Sequence, residues 1–477
     1  MARILARVMV SIFVVGLPLM GLSALVDDPA LIAAAQTGDL VTARSLLSED
    51  VDADVDVDAS QPDGTTALAW AVHRDNLEMV ELFIEAGADV DRANAYGISP
   101  LALACTNGSA PAVRALLDAE ADPNAADWTG ETVLMTCARA GSREAVLALL
   151  EAGADANARE DTRGQTVLMW AVAENHAGVA EALIEDGAEV GARSTGGVTP
   201  LMFAAQEGSV EAGRALLAGG AELDEFTPQN GSALVVASAN GQQAFSLFLL
   251  ENGANPDIRD ADGVTALHYA IKKGITDLRG DAYTPYRQPP PPMPKLVKAL
   301  LDRGADANAQ ILKDYPRYSR SPARSIAGVA GATGFFLAAL ASDIEAMRQF
   351  VATGIDLGRA ADDGTTPLMA AAGVGRVYVR NEEEQRPALE AVRLILELGF
   401  DDINAVNERG QTALHGAAYN GSNSMVQLLV DHGARLDVAD TSGKTPLATA
   451  DGKPTDGVYG HVNHPSTVNL LRSLGAQ

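Results

Sequence analysis

Apolar residues recur along this chain at a nearly fixed interval. Leu68, Leu101, Leu134, Leu168, Leu201, Leu234 and Leu267 each sit at the head of a short run rich in leucine, valine and alanine. The series resumes at Phe335, Leu368, Leu414 and Leu447. Successive gaps are 33, 33, 34, 33, 33 and 33 residues, then 68, 33, 46 and 33. The long gaps are one or two periods plus inserted residues. Self-similarity at this period predicts a stack of supersecondary units, none able to bury its apolar face without a neighbour.

Each unit repeats one physical grammar. A glycine such as Gly97, Gly197, Gly364 or Gly443 allows the tight turn that precedes a helix. Serine or threonine then caps the helix and proline takes its first position, as at Ser99-Pro100, Thr199-Pro200, Thr366-Pro367 and Thr445-Pro446. The first helix stops at a glycine such as Gly108, Gly141, Gly208 or Gly421. A second helix with paired leucines follows and ends at Gly-Ala, where a left-handed cap favours glycine. About ten residues, such as those from Asp155 to Arg163, then form an extended finger before the next turn.

These segments resemble the ankyrin-repeat family, most plainly GVTPLMFAAQEGSVEAGRALLAGGAEL at 197–223 and GQTALHGAAYNGSNSMVQLLVDHGARL at 410–436. The resemblance covers residues 29–477. It implies an all-α solenoid of about eleven helix-turn-helix repeats with β-hairpin-like fingers and several inserted loops. First helices would line a concave face and second helices the convex back. It also implies a non-catalytic binding role. Residues 30–50 read as a degenerate N-terminal cap. Extra residues fall between paired helices at 275–294, 376–388 and 451–464, and a loop at 311–327 lengthens one finger. That loop divides the expected stack into segments 29–310 and 328–477.

The N-terminus is different in kind. Arg3 and Arg7 precede an uncharged apolar run over residues 8–26, followed by Asp27 and Asp28. Two readings stand open for residues 1–26: a cleaved secretory signal, or an uncleaved membrane anchor. Either one exports the repeats, as a periplasmic or secreted protein or one held at the membrane by residues 8–26. Only Cys105 and Cys137 are present, on first helices of adjacent repeats. Ordinary helix packing puts these about 10 Å apart. A disulfide needs Cα atoms within about 7 Å, so two free core thiols are expected.

Charge narrows the partners. The net charge is −28 and the sequence pI about 4.5, which argues against nucleic acid and anionic membrane surfaces. The expected partner is a protein or peptide of basic character. Aromatics are only 5% of residues, so the core is built from small and aliphatic side chains.

Few residues suggest chemistry, and neither a metal nor another cofactor is expected. No nucleophile elbow, zincin motif, phosphate loop or C-x-x-C is present. His268 and His415 hold the fourth position of the turn motif, where the family's histidine is structural. His461 and His464 lie three apart, too few for a metal site without a third ligand. Asp52, Asp54, Asp56 and Asp58 resemble a calcium loop but lack its glycine and terminal glutamate. The sequons at Asn107, Asn230 and Asn420 sit at turns that want Asn-Gly for backbone reasons.

The candidate binding surface is the column two residues after each helix-start position. It reads Trp70, Leu103, Thr136, Trp170, Phe203, Val236 and Tyr269, and then shrinks to Leu337, Ala370, Gly416 and Thr449. Large side chains along an exposed groove would form a contact surface. The bland reading is that each ring packs on its neighbours. A second candidate is the inserted region carrying Arg279, Arg287, Arg317, Arg320 and Arg324. There nine lysines and arginines face four aspartates, with four tyrosines interleaved and prolines at 289–292. It suits either an acidic partner or contact with the chain's own acidic scaffold. An acidic column at Asp89, Asp122, Asp155, Glu189 and Glu222 follows each helix pair and flanks the groove. The leading reading is an extracytoplasmic scaffold holding a protein or peptide. The alternatives are a secreted effector acting on another cell's proteins, and an enzyme using His461, His464 and Asp456 in the inserted loops.

Overall fold

The computed structural model describes residues 29–48, 55–271, 293–313, 329–375, 382–452 and 463–477. The expected segment 1–26, the proline run and most of the inserted loops lie outside those residues. Contacts divide the chain into two compact units between Asp155 and Ala156.

The first unit holds four helix pairs: α1 (Pro29–Thr37) and α2 (Leu40–Leu46), α3 (Ala67–His73) and α4 (Leu77–Glu85), α5 (Pro100–Asn107) and α6 (Ala110–Asp118), α7 (Val133–Ala140) and α8 (Arg143–Glu151). First helices pack in the order α1, α3, α5, α7, and second helices in the order α2, α4, α6, α8. Contact is therefore with the next repeat along, as a solenoid requires.

The second unit repeats this eight times. Its pairs are α9 (Val167–Ala173) with α10 (Ala177–Glu185), α11 (Pro200–Glu207) with α12 (Val210–Ala218), α13 (Ala233–Ala239) with α14 (Gln243–Glu251), and α15 (Ala266–Tyr269) with α16 (Pro294–Asp302). Then come α17 (Gly334–Ala341) with α18 (Ile344–Val351), α19 (Pro367–Ala372) with α20 (Glu382–Glu397), α21 (Ala413–Tyr419) with α22 (Asn423–Asp431), and α23 (Pro446–Ala450) with α24 (Pro465–Ser473). Helices α15 and α16 pack directly on α17 and α18, across the inserted finger. Helix α20 begins at Glu382, so part of the insertion expected at 376–388 extends the second helix instead of forming loop. Its first residues, Glu-Glu-Glu-Gln-Arg, are good helix formers.

Local chemistry explains the short helices. Thr66, Ser99, Thr132, Thr166, Thr199 and Thr366 each accept the N–H three residues on, satisfying a donor that the helix leaves orphaned. The helix-start residues from Leu68 to Leu414 are at most 2% exposed. Leu447, on α23, is only half-buried. The fingers are nearly all turn. Single bridges such as Ser60 with Thr66 and Ala126 with Thr132 mark them, and among the described residues only β1 (Phe226–Thr227) and β2 (Gly231–Ser232) pair as strands.

The expectation of free thiols is overturned. Cys105 on α5 and Cys137 on α7 form a disulfide with Cα atoms 4.3 Å apart. The figure of 10 Å applies to helix axes, not to facing backbones. Axes 8–10 Å apart, with each Cα about 2.3 Å from its own axis, leave facing Cα atoms about 4–5 Å apart. Both cysteines occupy such facing positions and are 0% exposed.

Candidate partner-binding surfaces

The first-helix column is less open than its sequence suggests. In the first unit, Trp70 and Leu103 are half-buried and Thr136 is buried. In the second, Trp170, Phe203 and Val236 are half-buried and Tyr269 is buried. Polar ends explain part of this. The Trp70 indole N–H donates to Gln61 Oε1 at 3.2 Å, and its ring meets His73 edge-on. Thr136 donates to Glu131 at 3.1 Å, and the Tyr269 hydroxyl donates to Asp260 at 2.8 Å. Each partner belongs to the turn just before the residue's own helix, so the finger base leans over the column.

Further along, Leu337, Ala370 and Gly416 are buried. A Cβ at Gly416 would lie 2.8 Å from the Val374 nitrogen and 2.9 Å from the Ala372 oxygen, so no larger residue fits there. The column's half-buried, apolar stretch in the second unit is thus Trp170, Phe203 and Val236, at one register on the consecutive helices α9, α11 and α13. Glu174 and Gln206 stand exposed beside it.

Two acceptor columns, not singled out in the sequence, hold the finger bases. In the first, a side chain accepts the backbone N–H of the next repeat: Asp58 from Asp89, Asp91 from Asp122, and Asn124 from Asp155, at 2.8–2.9 Å. The second unit continues the ladder, with Asn157 accepting from Glu189, Asp224 from Asn255, Asp257 from Asp306 and Asn404 from Arg435. The acidic residues Asp89, Asp122, Asp155 and Glu189 therefore supply backbone donors while their side chains, like that of Glu222, stay exposed. The signal was the Asp or Asn two positions beyond Asp89, Asp122, Asp155 and Glu222, interrupted after Glu189 by Gly191.

The second column closes the finger turns. Asn94 accepts from Tyr96 and Ile98, Asp127 from Thr129 and Glu131, and Asp440 from Ser442 and Lys444. Glu160 stands in this role in the repeat preceded by the 34-residue gap. Its turn holds one extra residue, and the longer side chain reaches the N–H groups of Thr162, Arg163 and Gln165 at 2.6, 2.8 and 2.9 Å. Burial pushes the Glu160 carboxyl up, but these bonds together outweigh it and hold it below its ordinary value.

The motif histidines are structural. His268 Nδ1 accepts the Thr265 N–H, so Nε2 carries the proton and donates to the Ala309 carbonyl at 3.1 Å. His415 repeats this with Thr412 and the Lys444 carbonyl. Burial pushes His268 down to about 4 and also lowers His415.

Several other sequence candidates resolve in the same way. His464 Nε2 lies 3.0 Å from the Tyr419 oxygen, while His461 and Asp456 fall outside the described residues. Among the described residues, no cluster of three or more metal-ligating groups occurs. Asp58 is committed to the ladder, and Asp52 and Asp54 lie outside the described residues. The amides of Asn107 and Asn420 donate to the Val72 and Gly416 carbonyls. Arg279, Arg287, Arg317, Arg320 and Arg324 also lie outside the described residues, whereas the Arg303 guanidinium donates to the Leu250 carbonyl.

The helix pairs, capping threonines, fingers and nearest-neighbour packing define a repeat solenoid. A family model described as "Ankyrin repeats (3 copies)" matches residues 30–127, 82–160, 124–194, 157–227, 201–280 and 384–472. The chain belongs to the ankyrin-repeat family, whose repeats serve as protein-interaction scaffolds. It is 31% identical over 183 residues to neurogenic locus notch homolog protein 2 of Homo sapiens, covering 38% of this chain and 5% of that protein. It is 36% identical over 123 residues to ankyrin repeat domain-containing protein 63 of Homo sapiens, covering 25% of this chain and 30% of that protein. Among solved structures it is similar to the ankyrin repeat domain of Bcl-3, a member of the IkappaB protein family. That match has a TM-score of 0.42 and 28% identity, over 47% of this chain and 98% of that one. The chain thus spans only 5% and 30% of the lengths of the notch and ankyrin repeat domain-containing relatives.

Proposed function

We propose that this protein is an extracytoplasmic, non-catalytic scaffold that holds a basic protein or peptide against the first-helix face of its repeats. The observation that carries the reading is the alignment of Trp170, Phe203 and Val236 on three successive helices. A partner laid across them covers large apolar side chains already held in place, so little ordering entropy is lost on binding. Exposed Glu174 beside this stretch and the chain's net charge of −28 favour lysine and arginine on the partner.

Export is supported by two independent features. Residues 1–26 have the cationic, then apolar, character of a signal or anchor. The buried disulfide between α5 and α7 suits an oxidising compartment.

A photo-crosslinking amino acid at Phe203, expressed in the native host, tests the binding face. A defined covalent adduct is expected there, absent with the same probe at Glu181 on α10 and lost when Trp170 is replaced by alanine. Equal adducts at both positions would remove the groove from the proposal. Cell fractionation tests the location: recovery in the cytoplasm with reduced cysteines would overturn export.

A further inference from the structure

We propose a second docking surface on the fingers of the first unit, centred on Trp128 and Tyr96, for an extended partner segment carrying lysine or arginine. It is separate from the first-helix column. Trp128 is 81% exposed and Tyr96 58% exposed, whereas Trp70 and Trp170, the other two tryptophans of the chain, are half-buried. An indole left in water on a rigid turn is unusual in a protein with so few aromatics.

The two rings sit on adjacent finger tips. A Cβ placed on Gly97, next to Tyr96, would lie 3.9 Å from the Cα and Cβ of Asp127, next to Trp128. The preceding finger joins the same row, because the Ala95 N–H donates to the Asp63 carbonyl at 2.7 Å. The turns are fixed from within: Asn94 accepts the Tyr96 N–H at 3.0 Å, and Asp127 accepts the Thr129 N–H at 2.7 Å. Both aromatics are therefore presented without loop ordering, which lowers the cost of binding.

Charge selects the occupant. The three finger segments 60–66, 93–99 and 126–132 contain Asp63, Asp127 and Glu131 and no lysine or arginine. Glu131 is paired with Arg139 at 2.9 Å, which leaves Asp63 and Asp127 to set the sign. Across residues 55–155, 17 acidic residues face 5 basic ones. A guanidinium or ammonium over an exposed indole or phenol face, with a carboxylate beside it, satisfies both features. Adjacent repeats lie roughly 10 Å apart, which is about three residues of extended chain. Two cations three residues apart then reach the two rings together.

The test uses the full chain and a fluorescein-labelled peptide, Gly-Arg-Gly-Gly-Arg-Gly, titrated by anisotropy at low salt. Trp128→Ala is expected to weaken binding about tenfold and Tyr96→Ala several-fold, without a change in melting temperature. Trp70→Phe leaves binding unchanged, and the glutamate analogue of the peptide does not bind. Wild-type affinity in Trp128→Ala overturns the proposal. So does a loss of self-association in Trp128→Ala by sedimentation, which makes the occupant a second copy. Trp128-dependent binding to zwitterionic vesicles with peptide affinity unchanged likewise overturns it in favour of a membrane.

Discussion

The Asp91 carboxylate accepts the backbone N–H of Asp122 at 2.9 Å, one repeat further along the stack. One repeat on, Asn124 does more. Its oxygen accepts the Asp155 N–H at 2.8 Å and its amide donates to the Gly153 carbonyl at 3.1 Å. Aspartate has no donor with which to make the second bond. Asp91→Asn is expected to stabilise the protein by about 0.5–1 kcal/mol, and Asn124→Asp to destabilise it by a similar amount. Urea midpoints of the two variants moving in the same direction would count against this assignment.

Glu120 occupies the left-handed region, at φ +67°, where the neighbouring repeats place Gly87 and Gly153. A side chain there is strained by the clash of Cβ with the following carbonyl. Glu120→Gly is expected to raise stability by about 0.5–1 kcal/mol after the extra freedom of the unfolded glycine is allowed for. Thermal melts of the pair check it. The same change at Glu85, within helix α4, is expected to destabilise.

The disulfide closes a loop between positions 32 residues apart. Replacing both Cys105 and Cys137 with alanine is expected to cost about 3–4 kcal/mol, largely by freeing the unfolded chain. Reductant applied during unfolding should bring the wild type down to the level of the double variant. Free-thiol titration of the unreduced, denatured protein should find none.

His268 gives the fold an acid limit. Its folded value is about 4 against an ordinary 6.5, so the unfolded chain binds a proton that the folded chain refuses. Its contribution is therefore complete above pH 6.5 and lost as the pH falls towards 4, by up to about 3 kcal/mol. His415 acts in the same direction. His268→Gln keeps an acceptor for the Thr265 N–H but cannot titrate. Its stability should be lower at pH 7.5 and should fall less steeply between pH 6.5 and 5 than that of the wild type. Parallel slopes would dismiss His268 as the source.

Glu160 makes a prediction about length rather than charge. Glu160→Asp retains the carboxylate but shortens its reach across a turn with one extra residue, and should cost about 1–2 kcal/mol. Deleting Asp161 in the same variant restores the shorter turn and is expected to recover much of that loss. Because the folded carboxyl lies below its ordinary value, its stabilisation is present above the unfolded pKa and lost in acid.

The repeat architecture was legible because its signals are local. Helix caps, Gly-Ala stops and the spacing of Leu68 to Leu447 each report on a few residues, and stacking multiplies them. What escaped depended on how one repeat meets the next. The pairing of Cys105 with Cys137 turned on facing Cα atoms rather than helix axes. The burial of Thr136 and Tyr269 depended on Glu131 and Asp260 leaning in from the preceding turn. The Asp and Asn ladder is present in the sequence, but its residues bond to the next repeat's backbone, a partner that no single repeat reveals.

A stack held only by contacts between successive repeats yields to force from its ends, one pair after another. In the first unit that peeling meets a covalent stop. Once the repeat containing Cys105 opens, the chain as far as Cys137 stays looped behind the sulfur bridge, withholding roughly 100 Å of extension that an unbridged repeat would release. A tether ending in this unit would therefore stretch in shorter steps than its residue count implies, and would keep its slack until a reductant arrives.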